Sequence, residues 1–401
     1  MKVRKTMAAA LAALLGVGLL AGCGSGSSNQ PTAKSQDNSA AGGDVIKVGA
    51  NFELTGGIAT FGNSSVNGIK LALEEFNQAG GVNGKKIELI TADNKSDAAE
   101  ATNAMTKLVT QDKVVAVMGP VASSNVLAAE PVATQNQIPL VTPTATNPKV
   151  TVDPATNKTR DWIFRTCFID PFQGDVAARF SFNDLKAKKA AIYVDQSSDY
   201  SKGLAEAFKS GFTKLGGEIV SEEAFVAKDT DFKATLTKIK AKNPDVIYVP
   251  AYYEEVGKII RQARELGLTQ PIVGGDGFDS PKLLEIAGKS ALTNVFFTNH
   301  YTTMDTSPVV QEFVKKYKDK YGQEPDALAA LAYDAAKVLF EAIKTAGTPD
   351  PVKIKDALAA TKDFKGVTGT ITLDAQHNPV KSAVIMEYNN GALKFRTRVE
   401  P

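Results

Sequence analysis

Val114-Val115-Ala116-Val117-Met118 runs straight into Gly119-Pro120-Val121-Ala122-Ser123-Ser124-Asn125, and the reading of this stretch decides the fold. Five consecutive apolar residues, three of them valine, describe a strand buried on both faces, and the small residues after it describe a turn into a helix. A helix opening there presents free backbone N–H groups at the carboxyl edge of a sheet, which makes a seat for an anion. A second strand, Ile138–Thr142, follows and ends in Pro143-Thr144-Ala145-Thr146-Asn147-Pro148. Two neighbouring strand ends thus offer hydroxyls and amides but almost no charge and no nucleophilic pair. That suits holding a small polar ligand better than transforming it.

Upstream, Val45–Phe52 and Lys86–Ala92 read as strands separated by a helix with Val66, Ile69, Leu73 and Phe76 on one face, stopped by Gly80-Gly81. Ala98–Gln111 is the next helix. Downstream, Trp162–Thr166 is a strand and the rhythm restarts: Lys189–Val194, Glu218–Phe225, Asp245–Pro250, Pro271–Gly274 and Val295–Thr298 alternate with helices at Gly203–Leu215, Phe232–Lys240 and Glu255–Leu266. This predicts an α/β fold of two doubly wound parallel-sheet lobes. The helices Val309–Tyr321, Ala327–Ala346 and Pro351–Ala360 have no sheet of their own, so a return to the first lobe is expected. Gly369–Leu373 and Ser382–Tyr388 read as a β-hairpin.

Lys2, Arg4 and Lys5, an apolar run from Met7 to Leu20, and Leu20-Ala21-Gly22-Cys23 form an export segment too short for an ordinary membrane span. The last four residues resemble the lipobox of bacterial lipoproteins, in which the cysteine, here Cys23, is lipidated. Gly24–Gly43, poor in apolar residues, is expected to be a disordered tether with a reach of roughly 25 Å. The whole sequence carries 46 basic and 44 acidic residues, and losing the three leader cations leaves a formal balance of −1. That excludes an electrostatic footprint for nucleic acid. Of the two cysteines, Cys167 is left to act as a small core residue.

Over Val45 to Tyr388 the sequence resembles the type I periplasmic binding proteins of ABC importers, within them the leucine/isoleucine/valine-binding proteins. The motifs that carry the likeness are Gly56–Gly62, Asn77–Gly84, Gly119–Ser124, Thr142–Pro148, Arg165 to Gly174, Tyr200 to Leu204, Tyr252 to Gly267 and Gly274–Gly277. The resemblance implies lobes that bend about three crossovers, near Thr166–Asp170, Thr298–Tyr301 and Thr370–Thr372, and close over a ligand. The implied division is 1–22 signal peptide, 23–43 tether, 44–168 plus 300–371 lobe 1, and 169–299 plus 372–401 lobe 2. It implies an extracytoplasmic, lipid-anchored, monomeric receptor that hands an amino acid, a branched-chain one above all, to an ABC permease, with no cofactor, metal or catalytic residue. Other amino acids, amides or aromatic acids remain as alternative ligands, and so does presentation to a chemoreceptor.

By the same resemblance, Ser123 and Thr146 match positions that hold the ligand carboxylate, with Thr144 contributing backbone atoms. Asp276 matches an acidic position facing the ammonium, one methylene shorter than the glutamate of the leucine-binding branch. Tyr200 and Tyr252 match tyrosines that close over the ligand, and Phe61 an aromatic flanking its side chain. Asp170 lies at a crossover and either contacts ligand or fixes the hinge. Asp97 and Ala122 stand where the family's early disulfide would place cysteines. No GxSxG elbow, P-loop, HExxH or strand-borne GxGxxG points to an enzyme, and His300 and His377 belong to no recognisable constellation.

Overall fold

The computed structural model describes residues 45–401, so the export segment, Cys23 and the whole tether lie outside the described residues. Strands β1 (Ile46–Phe52), β2 (Ile87–Asp93), β3 (Ala116–Met118), β4 (Leu140–Thr142) and β5 (Ile163–Arg165) form an all-parallel sheet ordered β2-β1-β3-β4-β5. Helices α1 (Ala59–Gln78), α2 (Ala98–Thr110) and α3 (Ser123–Gln135) connect the first four strands. Asp97 caps α2 by accepting the N–H groups of Ala99 and Glu100 at 2.9 and 3.1 Å.

The chain then passes through α4 (Asp170–Arg179), which runs on into a wider π turn at Phe180–Asp184. Strands β6 (Lys189–Asp195), β7 (Glu218–Phe225), β8 (Val246–Tyr248), β9 (Ile272–Gly274) and β10 (Val295–Asn299) make a second parallel sheet with the same winding, β7-β6-β8-β9-β10. Its helices are α5 (Asp199–Lys214), α6 (Lys233–Ala241), α7 (Tyr253–Glu265) and the short α8 (Pro281–Ala287), the last not foreseen from sequence.

After β10 the helices α9 (Pro308–Tyr321) and α10 (Ala327–Ala346) pack back on α1, followed by α11 (Pro351–Ala359). The alanine-rich α10 is buried over most of its length, with Lys337, Glu341 and Lys344 forming a narrow polar strip toward its end. Polar links fix its seat: Ser64 Oγ donates to Asp326 Oδ1 at 2.5 Å, and the Tyr333 hydroxyl donates to Glu75 Oε2 at 2.6 Å.

The expected hairpin of Gly369–Leu373 with Ser382–Tyr388 does not form. Instead β11 (Phe364–Gly366) pairs with β12 (Gly369–Ile371), and β13 (Ala383–Asn389) pairs with both β10 and β14 (Ala392–Val399). The turn chemistry explains the difference: Asn390 and Gly391 adopt φ of 48° and 74°, the left-handed pair of a tight Asn-Gly hairpin turn. Residues 373–379 instead close on themselves through a Leu373–Pro379 bridge, and His377 at the turn docks on β5, its O accepting the Arg165 N–H at 3.3 Å and its Nδ1 bonded to Ile163 O at 2.9 Å. The strand β14 is the outer edge of the second sheet and carries Lys394, Arg396 and Arg398.

Gly119, directly after β3, has φ of 86°, and a Cβ there would fall 2.2 Å from the Asn51 carbonyl oxygen. Only glycine lets β3 turn this close to β1. Gly119→Ala is expected to lower unfolding stability by on the order of 3 kcal/mol, measured as a fall in the urea midpoint at unchanged slope.

Candidate functional site

Loops leaving the carboxyl ends of the two sheets meet across a cleft, the position where doubly wound sheets hold ligands. The lobes touch there directly. Ser124 Oγ donates to Asp199 Oδ2 at 3.0 Å, Asn147 Nδ2 donates to Asp199 O at 2.7 Å, and the Thr60 N–H donates to the Tyr253 hydroxyl at 3.3 Å. Thr60 Oγ1 and Ser280 Oγ share a further bond of 2.9 Å.

On the first lobe the helix start at α3 is not the open anion seat expected from sequence. Glu53, just past β1 and fully buried, places its carboxylate there, accepting the N–H groups of Val121 and Ala122 at 3.0 and 3.1 Å and Asn125 Nδ2 at 2.8 Å. Burial raises the Glu53 carboxyl above its ordinary range even against these donors. The protein has supplied the anion to this helix end itself.

Ser123 Oγ accepts the Asn147 N–H at 3.3 Å, and Thr144 Oγ1 donates to Val121 O at 3.1 Å. Thr146 Oγ1 is buried and set against the Asp170 carboxyl, whose ionised form it favours. The loop bearing these residues is clamped by the buried guanidinium of Arg165, which donates to Ala145 O at 2.7 Å, Asn147 O at 2.8 Å and Thr151 Oγ1 at 3.0 Å. Cys167, also buried, rests against Ala145 O at 3.5 Å, and burial pushes its thiol up to about 12.

On the second lobe Asp276, following β9, is the centre of a network. Its Oδ1 accepts Gln173 Nε2 at 2.9 Å and the Tyr200 hydroxyl at 2.8 Å, and its Oδ2 lies 3.0 Å from His300 Nε2. Burial opposes ionisation, but the bonds from His300, Gln173 and Tyr200 outweigh it and hold the carboxyl below its ordinary range. An ionised carboxylate only accepts, so His300 Nε2 carries the proton. The His300 ring stacks on Phe168 at 3.6 Å between centroids, and burial lowers its basicity despite Asp276. Tyr200 also accepts the Gly277 N–H at 3.1 Å, so its hydroxyl is spent on Asp276 and its loop, while its ring stacks on Tyr252 at 5.0 Å.

The first-lobe Phe61 meets Tyr252 and Tyr253 edge-on at 6.0 and 4.9 Å. Asp170 opens α4, with its N–H donating to Thr146 O at 3.0 Å. Thus Ser123, Thr144 and Thr146 gather on one side, Tyr200 and Asp276 on the other, with Asp170 at the crossover between them and Phe61 with Tyr252 on an aromatic wall. Sequence reasoning gave no role to Glu53, Arg165, Gln173 or His300. The available signals were a carboxylate directly after an apolar strand, a glutamine three residues beyond Asp170 on one helix face, and a histidine at the carboxyl end of β10.

A periplasmic binding protein family model matches residues 45–392. The isoleucine complex of the branched-chain amino acid transporter substrate-binding protein LivJ from Streptococcus pneumoniae is 44% identical, with a TM-score of 0.83 over 89% of this chain and 100% of that one. The chain is a type I periplasmic binding protein of the leucine/isoleucine/valine-binding family. Another member, the Leu/Ile/Val-binding protein homolog 1 of Brucella suis, is 33% identical over 87% of this chain and 91% of its own length. A more distant structural neighbour, the solute-binding protein of an R. palustris ABC transporter in complex with benzoate, is 25% identical with a TM-score of 0.80 over 89% of this chain and 97% of that chain. Members of this family are solute-binding proteins of ABC transporters working outside the cytoplasm, and no helix among the described residues is long and apolar enough to cross a membrane.

The Arg165 clamp gives a direct test of how the cleft loop is held. Arg165→Met should cost about 3 kcal/mol, because it leaves buried carbonyls without donors, and Arg165→Lys should recover only part of this, as read from chemical denaturation.

Proposed function

We propose that this chain captures a branched-chain amino acid, leucine, isoleucine or valine, in the interlobe cleft and delivers it unaltered to an ABC permease. The observation that carries this reading is the pairing of opposites across the cleft: neutral donors at Ser123 and Thr146 beside carboxylates at Asp276 and Asp170. A zwitterion buried from water needs both kinds of partner. Ser123, Thr146 and the backbone at Thr144 take the carboxylate, Asp276 takes the ammonium, and Phe61 and Tyr252 flank the aliphatic side chain. Tyr200 acts by holding Asp276. Lipidation at Cys23 and a tether over 23–43 would keep the receptor, as a monomer, beside its permease.

The second reading is an aromatic acid, favoured by the cluster of Phe61, Tyr252 and Tyr253 and by the benzoate-bound relative. The ionised Asp276 weighs against it, since a benzoate brings no cation to meet that charge.

A thermal-shift screen of common amino acids and aromatic acids separates the two. A ligand at a hundred times its Kd adds about 2.7 kcal/mol, and leucine, isoleucine or valine should produce that shift while benzoate does not. Asp276→Ala should abolish the amino-acid shift. Undiminished leucine affinity in that variant would refute the ammonium assignment, and stabilisation by benzoate alone would favour the second reading.

A further inference from the structure

Beside the second passage between the lobes, two carboxylates border one small cavity from opposite lobes. Asp279 closes the short turn after β9 in the second lobe, and Asp326 caps α10 in the first. With Tyr301, Thr302 and Thr303 of the passage itself they line a cavity of about 50 Å³. Asp279 Oδ2 accepts Asn299 Nδ2 at 3.0 Å and the Ala327 N–H at 2.8 Å. Asp326 Oδ1 accepts Ser64 Oγ at 2.5 Å and the Ala329 N–H at 2.8 Å. Each acid is anchored through one oxygen and keeps the other for a further partner.

The charges around this cavity do not balance. Among the described residues no lysine or arginine lines it. The nearby cations are engaged elsewhere: Arg398 holds Asp305 at 2.5 Å, and Lys318 holds Glu324 at 3.2 Å. Asp276, the other acid that bears on Asp279, is bonded to His300. The start of α10 supplies roughly half an elementary charge against two carboxylates. Burial raises both carboxyls, and with Asp279 beside it that of Asp326 reaches about 7. A second sign is independent of the acids' own ionisation. Tyr301 is 4% exposed and its hydroxyl has no protein partner, although Asp279 and Asp326 are the charges that bear on it most. A buried hydroxyl is costly until something bonds it.

We infer that this cavity is a cation site, taking one calcium-like ion between Asp279 and Asp326, with the Tyr301 hydroxyl and water completing its shell. The ligands are all oxygens, which selects a hard cation over zinc or copper. No third acid, histidine or cysteine joins them among the described residues. The affinity is therefore that of a weak extracellular calcium module, with a Kd of roughly 0.1 to 1 mM. The ion ties the β9 turn of the second lobe to the start of α10 in the first, adding to the bond that Asp279 already makes with the Ala327 N–H. The site shares no residue with the amino-acid cleft, so it stands or falls apart from that reading.

Calorimetric titration of calcium chloride into the chelator-treated full chain tests this. One ion per chain is expected, and saturating calcium should raise the Tm by about 2 °C. Terbium standing in for calcium should emit when tyrosine is excited, and calcium should displace it. Tyr301→Phe should diminish that emission. Asp279→Asn and Asp326→Asn should each weaken calcium by about tenfold or more, and Asp326→Asn, which keeps a capping oxygen, should fold with a calcium-free Tm at or above that of wild type. The wild-type titration and the terbium signal need no variant. No binding heat up to about 10 mM calcium, or affinity within twofold of wild type in both variants, would overturn the site. So would a Tm that rises on mild acidification yet ignores calcium, because a shared proton would then answer the pair.

Discussion

The guanidinium of Arg165 is the contact on which the cleft depends. A buried cation is costly unless acceptors surround it, and here the acceptors are the main-chain oxygens of Ala145 and Asn147 and the hydroxyl of Thr151. One side chain from β5 thereby sets the shape of the loop that leaves β4. The main chain of the same residue bonds to His377, and five residues further on the chain enters α4 in the second lobe. The donor-bearing loop, the first passage between lobes and the segment leading to β13 are thus held by a single residue, so the ligand platform cannot shift independently of the hinge.

Near that hinge the protein buries several acids, and each is answered differently. Glu53 takes main-chain N–H groups at a helix end. Asp334 accepts the N–H groups of Val367 and Thr368 at 2.8 Å each and the Thr368 hydroxyl at 2.6 Å. Lys381, whose ammonium burial pushes down to about 8, bonds Thr166 O and Thr368 Oγ1 and so joins the first and last passages. Asp279 of the second lobe accepts the N–H of Ala327 at 2.8 Å, at the start of a first-lobe helix. Each of these carboxylates is answered by donors the chain itself provides.

Much of the fold was legible because strands apolar on both faces, such as Ala116–Met118 and Val246–Tyr248, can only belong to a covered parallel sheet. The order of the strands was not, since adjacency depends on crossovers that no local pattern records. The final hairpin was misplaced for a local reason: Asp374 turns the chain through its own side chain, accepting the N–H groups of Gln376 and Asn378, and this imitated a hairpin turn, while Asn390-Gly391 was the real one. At the site, Ser123, Thr146 and Asp276 were singled out through the family pattern, and the structure brings them to facing sides of one cleft. Glu53, Gln173 and His300 were not, because an isolated polar residue at a strand end or on a helix reads as solvated until its partners, distant in sequence, are known.

The edge strand β14 has a consequence for a protein that works at close quarters with its neighbours. A bare strand edge is a template onto which another chain can zip, and the second sheet ends in just such an edge. Lys394, Arg396 and Arg398 stud it with positive charge, and Arg398 is held by Asp305 at 2.5 Å. With Arg396 also beside Glu387 at 3.4 Å, long charged side chains stand at alternate positions of this edge and hinder a second copy from adding to it in a dense array of the molecule.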